Sequence, residues 1–200
     1  METATPLPAK KLSPMRTFDP RTVAHDEKEA WVAYYHRRWL RLMRMLIALV
    51  RATFGLSLWQ ALVVAIPLTR AQIKFAPKDN DVPAAEADMR RFYEFVKKVH
   101  REDFDPAEAA RLDVNWWVVH RRFFGESERE EVIDAVAKLY AATYRVPYES
   151  VREAALHRAR AMVHSDRWVN EGRLENSPRL AQEEEELIKS YAALRAAVAV

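Results

Sequence analysis

Glycine is scarce in this chain, with only three residues in 200, at positions 55, 125 and 172. An average composition would give roughly 14. Phosphate-binding loops of the GxxxxGK[ST] and GxGxxG types need closely spaced glycines, and the chain contains neither. Hairpin turns and β-bulges also use glycine for positive φ, so a β-rich fold is disfavoured. The glycine content therefore favours helices and excludes glycine-rich nucleotide loops.

Cysteine is absent altogether. Its absence excludes disulfides, thiolate metal sites, iron–sulfur clusters and a cysteine nucleophile. No nucleophile elbow is present either, and most serines stand where they would cap helices. The first twenty residues contain lysine and arginine but no apolar run, so no signal peptide is expected. We predict a cytoplasmic protein, with membrane association as an alternative.

Helix start signals recur along the whole chain. An acid or serine precedes proline at Asp19, Asp105 and Ser177, and Ser57 precedes an apolar run. Two further S-x-x-E sequences, at residues 127–130 and 150–153, have the pattern of capping boxes. The predicted helices span residues 19–54 (or from near 26), 58–75 with a kink or break at Pro67, 84–100, 105–125, 127–144, 148–170 and 177 to near the end.

Each glycine falls where one of these helices should end, and no alternating β pattern lies between them. We therefore predict an all-α fold: a single-domain bundle of six or seven helices over residues 19–200. A proline-rich, polar segment over residues 1–18 precedes it and is expected to form a flexible N-terminal arm.

A basic stripe runs through the first long predicted helix. It consists of Arg37, Arg41, Arg44 and Arg51, and nearly all other residues from 39 to 54 are apolar. A helix of this kind is buried in a protein core, lies on a membrane surface or spans the membrane. A span would place Arg51 within the hydrocarbon, at a high cost. The remaining alternatives are a core helix with arginines at its rim and a surface for a membrane or a protein partner.

Charge is unevenly distributed, although the net charge is only +3. Residues 1–100 carry 17 Lys and Arg against 10 Asp and Glu, whereas residues 101–200 carry 15 against 19. With this asymmetry, the basic first half could face an anionic surface, or the two halves could pack on each other through complementary charges. No polar helix with base-reading residues is evident, so nucleic acid is not an expected partner. A protein partner or self-association is expected instead.

Acids and histidines share helix faces at three places. Each of the pairs Glu29–His36, Asp113–His120 and His157–His164 is spaced by seven residues, or two helical turns. Glu153 precedes His157 by one turn. Carboxylates and imidazoles inside a bundle are the ligands of iron and manganese centres. The predicted metal-ligand set is Glu29, His36, Asp113, His120, Glu153, His157 and His164.

The acid-x6-His spacing is similar to that of haem-oxygenase-like di-iron proteins, which are all-α and close to this length. The similarity covers spacing on one or two helices. It implies iron or manganese as the cofactor, with further carboxylates drawn from other helices. Simple structural roles explain several of the same residues: Glu153 completes a capping pattern, and His120 lies beside two arginines at a helix end.

Trp116 and Trp117 stand side by side in the middle of a predicted helix. Adjacent residues face about 100° apart, so one can lie in the core and one at its rim. A buried indole N–H needs a partner, which Asp113 or Asn115 can supply. Core packing and an aromatic-lined pocket for a cofactor or ligand are both compatible with this pair.

Three functions follow from these features. The first is a non-catalytic helical binding or scaffold protein, acting through partner or membrane-surface contacts of its basic and apolar helices. The second is a non-haem iron or manganese oxidase or oxygenase. The third is a carrier of an apolar ligand or cofactor in an aromatic core. The sequence leaves open whether the protein is an enzyme.

Overall fold

The structure is a computed structural model that describes residues 12–199. Within this range it contains eight α-helices, one short 3-10 helix at Pro14–Arg16 and no strand, which confirms the all-α prediction. The helices are α1 (Pro20–Tyr35), α2 (Trp39–Phe54), α3 (Leu58–Phe75), α4 (Val82–His100), α5 (Pro106–Arg122), α6 (Glu130–Tyr144), α7 (Tyr148–Asn170) and α8 (Pro178–Val198).

The prediction of six or seven helices is corrected to eight among these residues, because the first predicted helix, over residues 19–54, is divided into α1 and α2. The chain leaves α1 at His36, and Arg37 adopts the left-handed conformation with a φ of 55°. The N–H of Arg38 then donates to the carbonyl of Ala33 over 2.9 Å, the bond of a Schellman ending. No glycine or proline marks this break, so local sequence signals do not predict it.

Arginine takes the left-handed position at three more helix ends. Arg101, Arg145 and Arg173 have φ values of 55°, 54° and 61° and follow α4, α6 and α7. A cation near a helix C-terminus interacts favourably with the helix dipole, which offsets part of the strain of a non-glycine residue there. Glycine alone therefore underestimates the number of helix ends, although all three glycines also have positive φ.

Helix starts follow the sequence at four of the predicted caps and depart from it at two. The caps of α1, α3, α5 and α8 are Asp19, Ser57, Asp105 and Ser177, each accepting a backbone N–H. The two other predicted capping boxes are wrong, because Arg129 and Pro147 occupy the N-cap positions of α6 and α7 and neither forms a side-chain capping hydrogen bond. α3 continues through Pro67 as one helix.

The described part of the predicted N-terminal arm packs on the bundle. Met15 and Phe18 are buried, and Arg16 donates to the carbonyl of Tyr144 over 2.7 Å. Pro14 lies so close to Gly55 that a Cβ at Gly55 would be 2.4 Å from the Cβ of Pro14. The rest of the predicted arm, residues 1–11, lies outside the described residues.

The eight helices form a closed ring. Each helix packs chiefly on the helices before and after it in the chain, and α8 packs on α1 to complete the circle. The chain direction changes by 120° between α2 and α3. An arrangement with neighbours on two sides only leaves the inner face of every helix directed at a shared interior. That interior holds the candidate site.

Candidate functional site

The ring encloses a cavity of about 570 Å³ to which all eight helices contribute. This volume falls within the range of small-molecule sites. Most of its wall is aromatic or aliphatic. The aromatic side chains that line it are Trp31, Tyr34, Tyr35, Phe54, Phe75, Phe92, Tyr93, Trp116, Trp117, Phe124, Tyr140, Tyr144 and Tyr191.

The tryptophan pair singled out from the sequence lies on this wall. The rings of Trp116 and Trp117 meet edge to face, with centroids 6.2 Å apart. Trp117 also packs edge-on against Phe75 of α3 at 5.4 Å. The indole N–H of Trp116 donates to Oδ1 of Asp113 over 2.7 Å, so its polar atom has a partner and its ring can face the cavity.

Asp113 is a carboxyl group held at the cavity wall. Its other oxygen, Oδ2, accepts the hydroxyl of Tyr93 over 2.7 Å. Burial raises the pKa of Asp113 above its ordinary value, although the hydrogen bonds from Tyr93 and Trp116 oppose the shift. A carboxyl group with a raised pKa in an apolar wall can accept or donate a proton or a hydrogen bond to a ligand.

An ion pair lies deeper in the interior. Arg158 of α7 donates Nη1 to Oε2 of Glu27 over 3.0 Å and Nη2 to Oε1 of the same carboxylate. The hydroxyls of Tyr140 and Tyr191 accept from Nη1 at 3.1 and 3.2 Å, and Tyr191 donates to Glu27. The guanidinium carbon also lies 5.1 Å from the ring centre of Trp116. The charges therefore neutralise each other within an aromatic cage.

Burial alone would lower the pKa of Arg158. The negative charge of Glu27 and the phenols of Tyr140 and Tyr191 outweigh it, so the pKa is raised well above its ordinary value. The guanidinium therefore stays charged at every physiological pH. Burial likewise raises the pKa of Tyr140 and of Tyr191, which keeps both phenols neutral. Arg158, Tyr140 and Tyr191 therefore each keep one protonation state.

The exposed residues among those that line the cavity follow the C-terminal ends of α1, α3, α5 and α7, so we infer that the cavity opens at this end of the ring. This opening, the mouth, is bordered by Arg37, Lys78, Arg121, Phe124 and Arg173. Arg121 donates to the carbonyls of Phe75 and Pro77 over 2.6 and 2.8 Å, and Arg173 donates to that of Tyr35 over 2.9 Å. These cations compensate the negative ends of the helix dipoles and make the mouth electropositive.

His120 lies on the wall between Trp116 and Phe124. Its Nε2 is 3.0 Å from Oδ1 of Asp166, a buried carboxylate of α7. Asp166 also accepts the hydroxyl of Ser127 over 2.6 Å and the N–H of Gly125 over 2.9 Å. Ser127 therefore anchors the loop after α5 to α7, which explains why it does not cap α6. The pairing fixes the orientation of the His120 ring at the cavity.

The structure does not bring the predicted metal ligands together. Within residues 12–199, no group of three or more His, Asp or Glu side chains could hold a metal ion. Glu29 pairs with Lys28 and Arg41 at 2.9 and 2.6 Å. His157 pairs with Glu186 at 2.7 Å.

The remaining predicted ligands are also apart. Glu153 is exposed on α7. The ring of His36 packs edge-on against Trp168 at 5.5 Å. Burial lowers the pKa of His164, and its Nδ1 has no hydrogen-bond partner among the described residues. Of the seven, only Asp113 and His120 line the cavity, and each is bonded to a different partner.

The basic stripe is shorter than the sequence suggested. Arg37 lies in the turn before α2 rather than on it, and Arg41 pairs with Glu29. Arg44 and Arg51 remain on the exposed face of α2. In the described part of the chain, no single helix has the length and apolarity needed to cross a membrane. The bent pair α2 and α3 meets those criteria only when taken together.

Two features of the interior were not predicted from the sequence: the Glu27–Arg158 ion pair and the burial of Glu183. Glu27 and Arg158 each stand among other charged residues, and nothing in their spacing indicates that they meet. Glu183 belongs to a run of four glutamates that is typical of a solvated helix start, yet it is fully buried. Burial and the nearby charge of Glu27 raise the pKa of Glu183 well above its ordinary value. Glu183 therefore departs from the solvated environment that such a run of acids would predict.

Comparison of the chain with protein-family models, with curated proteins and with solved structures found no match.

Proposed function

We propose that the protein binds a small molecule inside its ring of helices. The ligand would have an apolar, aromatic or extended hydrocarbon body and one anionic group. The observation that carries this proposal is the 570 Å³ cavity with its mainly aromatic and aliphatic wall. Closely packed interiors seldom leave voids much larger than a water molecule. A space of drug-molecule size, reached through a mouth and furnished with a few polar groups, is the usual form of a ligand site.

The polarity of the wall supports an apolar body for the ligand. Glu27 is neutralised by Arg158, and the two oxygens of Asp113 accept hydrogen bonds from Tyr93 and Trp116. The polar groups of the deep part of the cavity are therefore paired with one another, and the surface left for a ligand is mainly apolar. Its flat rings match a planar or extended hydrocarbon, to which offset and edge-to-face aromatic contacts are available. Asp113 and His120 can fix the ligand's orientation through one or two hydrogen bonds.

The mouth supports an anionic group at the other end. Arg37, Lys78, Arg121 and Arg173 border it, and the two acids of the cavity wall, Glu27 and Asp113, are engaged with interior partners. A carboxylate, sulfonate or phosphate at the mouth would be attracted by all four cations while its apolar body enters the cavity. This role is a non-catalytic binding function, with the ligand held inside rather than on the outer surface.

Two fluorescent probes test the proposal by isothermal titration. Anilinonaphthalene sulfonate is apolar, aromatic and anionic, and phenylnaphthylamine is its neutral counterpart. We expect one molecule of either probe to bind per chain, with the anionic probe bound more tightly. Leu49→Trp, which enlarges a side chain of the cavity wall, should weaken both.

Leu40→Trp is the matched control, because it makes the same substitution on the exposed face of the same helix. It should leave the affinity of the inner site unchanged. Both variants are first compared with the native protein by circular dichroism. Binding that is equal in the native and Leu49→Trp proteins, or that is lost only in Leu40→Trp, would place the probe on the outer surface and refute the proposal.

A further inference from the structure

The outward face of α3 is a stripe of large apolar side chains. Trp59 is 79% exposed, and Val63 and Ile66 are each 55% exposed. They follow one another at intervals of four and three residues, so they share one face of the helix. Leu40, on the neighbouring helix α2, is 75% exposed. A run of large exposed apolar side chains along one helix face usually marks an interaction site.

This face belongs to a segment without acids. Residues 30–78 contain eight Lys and Arg and no Asp or Glu. Some of these cations are paired with acids elsewhere in the chain. Among the described residues, however, Arg37, Arg44, Arg51 and Lys78 form no ion pair. Arg44 and Arg51 are exposed on α2. The helix that packs beside the apolar stripe therefore exposes uncompensated positive charge.

We propose that the outward face of α2 and α3 docks on an anionic lipid surface. Trp59, Val63 and Ile66 would enter the boundary between headgroups and acyl chains, and Arg44 and Arg51 would contact the headgroups. Helices that combine an apolar face with arginine lie in the plane of the interface in this way. Tryptophan is well suited to that depth because its ring is amphipathic.

A second copy of the chain fits this face less well. A symmetric dimer places identical patches against each other. Arg44 and Arg51 of each subunit would then approach those of the other without any acid in the segment to neutralise them, and like charges across an interface are unfavourable. Anionic lipid supplies the missing negative charge and requires no shape complementarity. Charge complementarity thus favours the lipid surface over self-association.

The proposal goes beyond ligand binding in the cavity and does not depend on it. The residues involved point outward, whereas the cavity is lined by inward residues of the same helices, such as Leu46, Val50 and Leu68. Docking can therefore fail while the cavity binds its ligand, and the reverse also holds.

Vesicle sedimentation with the full chain tests the proposal. The probes are phosphatidylcholine vesicles with and without phosphatidylglycerol. We expect the native protein to sediment with the phosphatidylglycerol-containing vesicles and to be released by high salt. The triple variant Trp59→Ser/Val63→Ser/Ile66→Ser should lose this binding, because its apolar contacts are gone. Since all three side chains are exposed, the variant should fold normally.

Two more variants separate charge from apolar contact. Arg44→Gln/Arg51→Gln should weaken binding to anionic vesicles by about fivefold for each arginine. Leu174→Ser, which removes an exposed leucine outside α2 and α3, is the control and should bind as the native protein does. Native protein that ignores anionic vesicles, or a triple variant that binds them equally, would overturn the proposal. So would a native dimer in sedimentation velocity that the triple variant converts to monomer, since the face would then join two copies.

Discussion

Arg158 and Glu27 join two helices that are not neighbours in the ring. α7 and α1 are separated by α8, and the pair bridges them through the interior although the two residues are 131 positions apart in the sequence. Tyr191 of α8 and Tyr140 of α6 complete the contact. Four helices therefore converge on one guanidinium, which fixes this side of the cavity wall.

Removing one member of this pair should be costly. Glu27→Gln leaves Arg158 buried without its counter-charge, and breaking a buried pair in this way destabilises a protein by about 3–5 kcal/mol. Urea unfolding gives the free-energy difference. The exposed pair Arg90–Glu94 offers a matched control, and Glu94→Gln should cost less than about 1 kcal/mol. Equal effects of the two substitutions would show that the buried pair contributes no more to the free energy of unfolding than the exposed pair does.

The buried Glu183 should make the protein less stable as the pH rises. Its folded-state pKa is raised above the ordinary value of 4.5. Above pH 4.5 the carboxyl group loses its proton in the unfolded chain but keeps it in the folded chain. The contribution of this group to stability is therefore complete below pH 4.5 and is lost as the pH rises toward the raised folded-state pKa. The slope for one proton is about 1.4 kcal/mol per pH unit.

Glu183→Gln removes this titrating group. The free energy of unfolding of the variant, relative to that of the native protein, should therefore increase as the pH rises from 4.5 toward neutrality. Thermal unfolding at a series of pH values measures the difference. Glu185→Gln, an exposed residue two positions along α8, should leave the slope as it is. A Glu183→Gln variant with the native pH dependence would mean that Glu183 ionises normally in the folded state.

Gly55 should hold the N-terminal segment in place. Gly55→Ala introduces a Cβ that would lie 2.4 Å from the Cβ of Pro14, so one of the two must move. Overpacking of this kind costs about 1–3 kcal/mol. Undocking of the segment should raise the rate of tryptic cleavage after Arg16 by about tenfold. Gly125→Ala, which meets no atom within 4 Å, should leave that rate unchanged. Equal cleavage rates in the two variants would exclude this role for Gly55.

Lys78 should distinguish charged from neutral ligands. It borders the mouth and forms no ion pair among residues 12–199. Lys78→Gln should weaken binding of anilinonaphthalene sulfonate by up to about fivefold, the effect of losing one exposed charge of about 1 kcal/mol. Binding of phenylnaphthylamine should stay the same. Lys98→Gln, an exposed lysine away from the mouth, serves as control, and a loss of both probes in Lys78→Gln would contradict an electrostatic role.

Local chemistry made much of the fold predictable. Asp19, Ser57 and Asp105 cap helices because a side-chain oxygen can satisfy a free N–H within three residues, which needs no tertiary context. The break after α1 was not predictable, since Arg37 adopts the left-handed backbone conformation, which usually requires glycine. Ser127 had the pattern of a cap, but the buried carboxylate of Asp166, which lies 39 residues further along the chain, bound its hydroxyl instead.

The site was predictable only in part for the same reason. Trp116 and Trp117 stood out as an aromatic pair on one helix, and both line the cavity. Helical spacing also grouped Asp113 with His120, but it could not indicate that Tyr93 and Asp166, on other helices, bind them. The Glu27–Arg158 pair exists only because the ring closes, a tertiary event that single-helix periodicity does not contain.

Photolabelling locates the ligand most directly. Benzophenone carboxylate is an apolar aromatic anion that reacts on irradiation with nearby C–H bonds, preferentially those of methionine. Met89 is a buried methionine of the cavity wall. We predict that mass spectrometry finds the label on Met89 or other wall residues, and that excess anilinonaphthalene sulfonate prevents it. Label confined to the outer face around Trp59, Val63 and Ile66, or unaffected by the competitor, would contradict an internal binding site.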